Sequence, residues 1–138
     1  MPITLDTVKS KGKLVADNER YRVHDYDLGD LTVSMTELKK GQATRGHAHD
    51  LNAEVYIFPE GGDAEMEVGP ERFDVHQRAI LVRRGEFHRV VNRSRTSDLI
   101  FVSIFSGRRD ATGAKYAPAQ TNRSRVQTEP ASQITPAP

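Results

Sequence analysis

From Tyr21 to Phe105 the chain repeats one pattern: a short run rich in Val, Ile, Phe, Tyr and Thr, a turn signal, then another such run. β-Branched and aromatic residues suit the pleated, half-buried surface of a strand, and Gly- or Pro-containing pairs interrupt it, so the alternation marks an all-β sandwich or barrel. The runs fall at 21–26, 31–38, 53–58, 64–68, 79–82, 87–91 and 99–105, with turns at Gly29-Asp30, Lys40-Gly41, Gly61-Gly62 and Gly69-Pro70. Apolar residues at helical spacing over a helix's length are missing.

The 138 residues suffice for one domain with an apolar core and are too few for two comfortable ones. Residues 20–106 carry the strand pattern and form the expected barrel. Residues 1–19 are either an edge strand or a loose lead-in. After Ser106 the composition changes: residues 107–138 hold four of the seven prolines with many Ser, Thr, Asn and Gln, as a flexible tail does. A formal net charge of +1, with basic and acidic residues interspersed, argues against nucleic acid as a partner. No stretch approaches the roughly 18–20 apolar residues that span a bilayer, and the N-terminus has no signal-peptide apolar run. The expectation is a cytoplasmic protein without a membrane partner. Cysteine is absent, which removes disulfides, thiolate metal sites and cysteine nucleophiles and leaves His, Asp and Glu as metal ligands.

Those ligand types concentrate in one place. His47 and His49 are one residue apart, so on extended chain both imidazoles point to one face, within reach of one ion. A helix would need a gap of three or four residues, and Gly41 and Gly46 disfavour one. Glu54 follows across the polar bend Asp50-Leu51-Asn52 and opens an apolar strand in which Glu54, Tyr56 and Phe58 share a face. His88 begins another strand after the turn Arg84-Gly85-Glu86. Closure of a barrel would gather three nitrogens and one oxygen, leaving one or two positions on the ion for water or substrate.

The segment Gly41-x5-His47-x-His49-x4-Glu54-x6-Gly61 resembles the first motif of the cupin superfamily at every spaced position, and Arg83-x-Gly85-x2-His88-x3-Asn92 resembles the second. The second departs from the pattern where Gln77 replaces a glycine and Arg83 a proline. The resemblance covers about residues 20–106. It implies a jelly-roll-like double-stranded β-helix and one divalent transition metal (Fe, Mn, Ni, Co or Zn) held by His47, His49, Glu54 and His88. It also implies a homodimer.

Around that site, Tyr56 is the candidate proton-transfer residue and Phe58 a candidate cavity wall. Arg45, Arg83 and Arg84 could clamp a carboxylate or phosphate, because guanidinium forks match those anions. Asn92 faces the same side as His88. Glu65 and Glu67 share a face that is expected to point outward, and His24 and His76 have no partner at ligand spacing. The short single-domain plan resembles the small sugar-phosphate isomerase-like cupins. That implies a metalloenzyme isomerising or epimerising a sugar or sugar phosphate, with a polar or anionic small-molecule ligand. The alternatives are an Fe(II) dioxygenase and a cupin that binds metal or ligand without turnover.

Overall fold

The computed structural model describes residues 3–49, 52–76 and 78–109, together with the backbone of 115–116. The strands fold into two antiparallel sheets packed face to face. The elements are α1 (Leu5–Lys11), β1 (Lys13–Asp17), β2 (Tyr21–Asp27), β3 (Leu31–Leu38), β4 (Glu54–Ile57), β5 (Ala64–Val68), β6 (Glu71–Asp74), β7 (Ala79–Val82), β8 (His88–Asn92), β9 (Leu99–Ser106), β10 (Arg108–Arg109) and β11 (Lys115–Tyr116). The larger sheet runs β1-β2-β3-β9-β4-β7 and the smaller β6-β5-β8, while β10 and β11 pair only with each other. This is the all-β architecture expected from the strand pattern and the double-stranded β-helix that the resemblance implies. Among the described residues no helix is long and apolar enough to cross a membrane.

Period-2 burial decides which side chains point inward. In β5 and β8 buried and half-buried residues alternate without exception. The large sheet departs from alternation at Met35 and Val102, which lie on its outer face and are buried there. Helix α1 is the reason: Val8 packs on Met35 and Val102, with Leu5, Tyr26, Val33, Ile100 and Ile104 around them. Two turns are too short to show a periodicity, so this helix escapes a pattern search. Its ends are nonetheless defined. Thr4 caps the N-terminus by accepting from the Thr7 amide at 3.1 Å, and the Gly12 amide donates to the Val8 carbonyl at 2.9 Å.

β1 lies in the stretch read as edge strand or lead-in and is an edge strand on β2. Three further elements lie outside the strand runs read from the sequence. β6 is charged and mostly exposed, so it lacks the apolar run of the other strands. β10 and β11 lie in the stretch read from composition as tail; residues 110–114 and 117–138, on which that reading mainly rests, fall outside the described residues.

Register stacks the inward residues of the large sheet in rows. Tyr21, Leu38 and Leu99 make an apolar row, and Val23, Thr36 and Phe101 lie beside it. The next row is polar: Asp25 pairs with Ser34, Ser34 with Ser103, and Ser103 with Tyr56. Beyond it, Thr32 pairs with Phe105 and Phe105 with Glu54. One end of the interior is filled by a cluster that includes Leu38, Phe58, Met66, Val75 and Leu99, and the polar rows occupy the other.

Candidate metal site

His88, Val90 and Asn92 alternate inward along β8. Residues 42–47 run antiparallel beside this strand, through bridges that pair Ala43 with Val91 and His47 with His88. The amides of His47 and His88 donate to each other's carbonyls at 3.1 and 2.9 Å, so two distant histidines are held together by backbone. The same segment is pinned where the Thr44 side chain accepts from the Val90 amide at 3.0 Å. His47 therefore sits on a bridge rather than in a strand, and a glycine precedes it for a steric reason. Gly46 has φ +88°, and a Cβ there would approach the Phe87 ring to 2.6 Å.

His47, His49 and His88 converge, with one ring nitrogen of each within 4.8 Å of the others. Glu54 opens β4 with a fully buried side chain. Its Oε2 lies 3.0 Å from His49 Nε2 and 3.9 Å from His88 Nε2. The loop before Glu54 is tied down by Asn52, whose side-chain amide donates to the Ser106 carbonyl at 2.6 Å. Asp50 and Leu51, the first two residues of the expected bend, lie outside the described residues.

The donor set fits a divalent transition metal on two observations. His88 Nδ1 lies 3.0 Å from the Glu86 carbonyl; that oxygen can only accept, so Nδ1 carries the proton and Nε2 keeps the lone pair that faces the cluster. His49 Nε2 is buried and makes no hydrogen bond although the Glu54 oxygen is near, as donors ranged round a common centre are. Imidazole nitrogen and carboxylate oxygen are borderline ligands suited to Mn, Fe, Co, Ni or Zn.

The cluster opens into a cavity of about 400 Å³. Its walls include His47 and His88, Tyr56, the hydroxyls of Ser34, Thr36, Thr44 and Ser103, and two arginines, Arg45 and Arg109. Tyr56 is buried with its ring centroid 5.6 Å from that of His88. Burial first, and then the carboxylate of Glu54, hold its phenol well above the ordinary value, while Arg109 opposes them. The hydroxyl therefore stays protonated throughout the neutral range.

Of the other candidates, only Arg45 borders this cavity, from an exposed position. Phe58 shares a strand face with Glu54 and Tyr56, yet it lies in the apolar cluster, 5.6 Å from Phe101 between ring centroids, and does not line the cavity. Asn92 also faces inward but its amide donates to the carbonyls of Leu38, Lys39 and Ser97, which makes it a clip between loops. Arg83 lines a separate groove beside β7, and Arg84 is exposed in the turn before Gly85. Glu65 and Glu67 point outward and pair with Arg72, Arg89 and Arg93. His24 is half-buried and His76 exposed, both away from the cluster; Gln77 lies outside the described residues.

Arg109 was missed because it follows the last long strand, where no periodicity remains to place it. Its signal is local: Gly107 (φ +73°) donates its amide to the Asp30 carbonyl at 3.0 Å and turns the chain back over β2 and β3.

No protein-family model matches the chain, and no curated protein matches it in sequence. Solved structures match in shape. KdgF of Halomonas sp. superposes with a TM-score of 0.62 at 18% identity, over 76% of this chain and 96% of that one. An RmlC-like cupin of Shewanella frigidimarina gives 0.59 at 16% identity, over 74% and 89%. An oxalate decarboxylase of Bacillus subtilis, described for its Mn(II) centres, gives 0.57 at 18% identity over 67% of this chain and 27% of that longer one.

Proposed function

We propose that this chain, which has the cupin fold, is a metalloenzyme that moves a proton on a small hydroxylated substrate, an isomerisation or epimerisation of a sugar-like molecule. The observation that carries the reading is the convergence of three imidazoles and the buried Glu54 carboxylate beside a cavity that His47 and His88 border and that hydroxyls partly line. His47, His49, Glu54 and His88 would hold the ion. A divalent metal there supplies a Lewis acid that polarises a substrate carbonyl or hydroxyl.

The chain's own groups do the rest. Ser34, Thr36 and Ser103 offer hydroxyls that both donate and accept, a match for a polyhydroxylated ligand. Tyr56 holds a proton beside the ligand set and can donate a hydrogen bond to an oxygen on which negative charge develops. The Mn(II) of the oxalate decarboxylase neighbour makes manganese the first ion to try.

The test is metal content per chain in protein purified without chelators, followed by incubation of the loaded protein with aldose and ketose phosphates in D2O. Close to one ion per chain, and deuterium appearing at the carbon beside the carbonyl, supports proton transfer. Oxygen consumption by the Fe(II) form with no deuterium uptake would replace this reading with an oxygenase. A bound ion with neither outcome would leave a binding protein.

A further inference from the structure

We propose, resting on the metal-site reading above and narrowing its substrate class, that the ligand is a small amphipathic molecule. Its oxygens sit in the half of the cavity beside the histidines, and a hydrocarbon end fills an apolar pocket that Val15, Val23, Val90 and Phe101 form in the other half. Val15 is the specificity-determining residue, delivered there by a β-bulge.

The rows of the large sheet change character with distance from Glu54. Tyr56, Ser103 and Ser34 stand in the row next to it, and each offers a hydroxyl. One step further, about 7 Å along the strands, the row is Phe101, Thr36 and Val23. The small sheet repeats the change, with His88 followed on the same face by Val90. All of these side chains border the one cavity. Its far half is closed by Tyr21, whose ring packs on the apolar cluster. Of the two threonines there, Thr44 already accepts from the Val90 amide at 3.0 Å.

β1 adds to the apolar half from the edge of the sheet. Regular alternation would turn only one of two neighbouring residues toward the interior. Pairing with β2 slips between Leu14, opposite His24, and Ala16, opposite Val23, so Val15 is an extra residue in the strand. Val15 and Ala16 are both half-buried and both line the cavity, whereas Leu14 is 49% exposed. The slip thus places an isopropyl group on a wall that an unbroken ladder would leave to Ala16. Such a wall favours hydrocarbon, by about fourfold in affinity for each methylene buried, and penalises a hydroxyl that finds no partner.

Pentane-1,2-diol and xylitol share a five-carbon chain with a vicinal diol at its end, and differ in whether the other carbons carry hydroxyls. Titration of the Zn(II)-loaded and metal-free proteins, followed by NMR of the valine methyls, should show the diol binding at least about tenfold more tightly than xylitol in both forms. The diol should also shift the Val15, Val23 and Val90 signals. Val15→Ser should cut diol affinity about fivefold and leave that of xylitol unchanged, with a melting temperature close to that of the wild type. Val23→Thr keeps the side-chain shape, adds a hydroxyl and should narrow the preference in the same direction; it decides the matter if Val15→Ser fails to fold. Xylitol binding as tightly as the diol, neither ligand binding either form, unmoved valine signals, or a preference that survives the substitution would overturn the proposal. If the wild type takes up no Zn(II), the metal-site reading fails by itself, and the metal-free titrations still decide the apolar pocket.

Discussion

The two ends of the barrel interior are built by the same strands with opposite chemistry. β3 contributes Leu38 to one end and Ser34 and Thr32 to the other; β9 contributes Leu99 and then Ser103; β8 contributes Val90 and then His88. The apolar end is close-packed, with Phe58, Met66 and Val75 buried to within a few per cent. The polar end keeps a cavity walled by hydroxyls, a phenol, imidazoles and two arginines on one side and by Val23, Val90 and Phe101 where it meets the apolar end. Inward orientation is thus one property and role another: position along the barrel axis separates residues that hold the fold from residues that can hold a ligand.

If the two ends are distinct, a substitution in one should leave the other's property alone. Phe58→Ala empties part of the packed end and should cost about 3–5 kcal/mol in urea unfolding, while metal affinity under native conditions stays the same. A parallel loss of metal affinity would break the distinction.

Glu54→Gln acts at the other end. Metal affinity should fall about a hundredfold, or roughly 2.8 kcal/mol. In metal-free protein the same variant should melt at a lower temperature than the wild type, because the buried carboxylate beside His49 and Tyr56 loses its charge and its partners are left in place. Calorimetry with and without a chelator checks both effects, and an unchanged or higher melting point in the metal-free state would show that Glu54 serves the ion alone.

Asn92→Ala tests a residue of the second motif that belongs to neither activity nor core packing. Three carbonyls lose a donor, at a cost of about 2 kcal/mol with metal binding intact. The smallest expected effect comes from Gly46→Ala, about 1–2 kcal/mol for the left-handed backbone. It should weaken metal binding several-fold as the chain at His47 shifts away from the Phe87 ring, which titration of Mn(II) would detect.

Strands and ligand spacing were legible in the sequence because both are local. Alternation reveals which side of a sheet a residue faces, and His47-x-His49 with Glu54 five residues on places three candidate ligands within one loop and strand entry. Depth along the barrel is not local. Phe58 has the same parity as Glu54 and Tyr56, and only the pairing of β4 with β9 shows that it belongs to the packed end. Arg109 depends on a chain reversal after the last long strand, and Asp25 reads as an ordinary strand polar residue until Arg109 is seen against it. Asn52 likewise looks like a turn residue, and only the fold brings Ser106 to its amide.

Glu54 belongs to the six-stranded layer and His88 to the three-stranded one, yet their side chains meet across the gap. An ion shared by them would act as a rivet through both layers at the end where apolar packing is thinnest. Occupancy would then report on cohesion as well as reactivity, and stripping the ion would loosen the sandwich first at its open end.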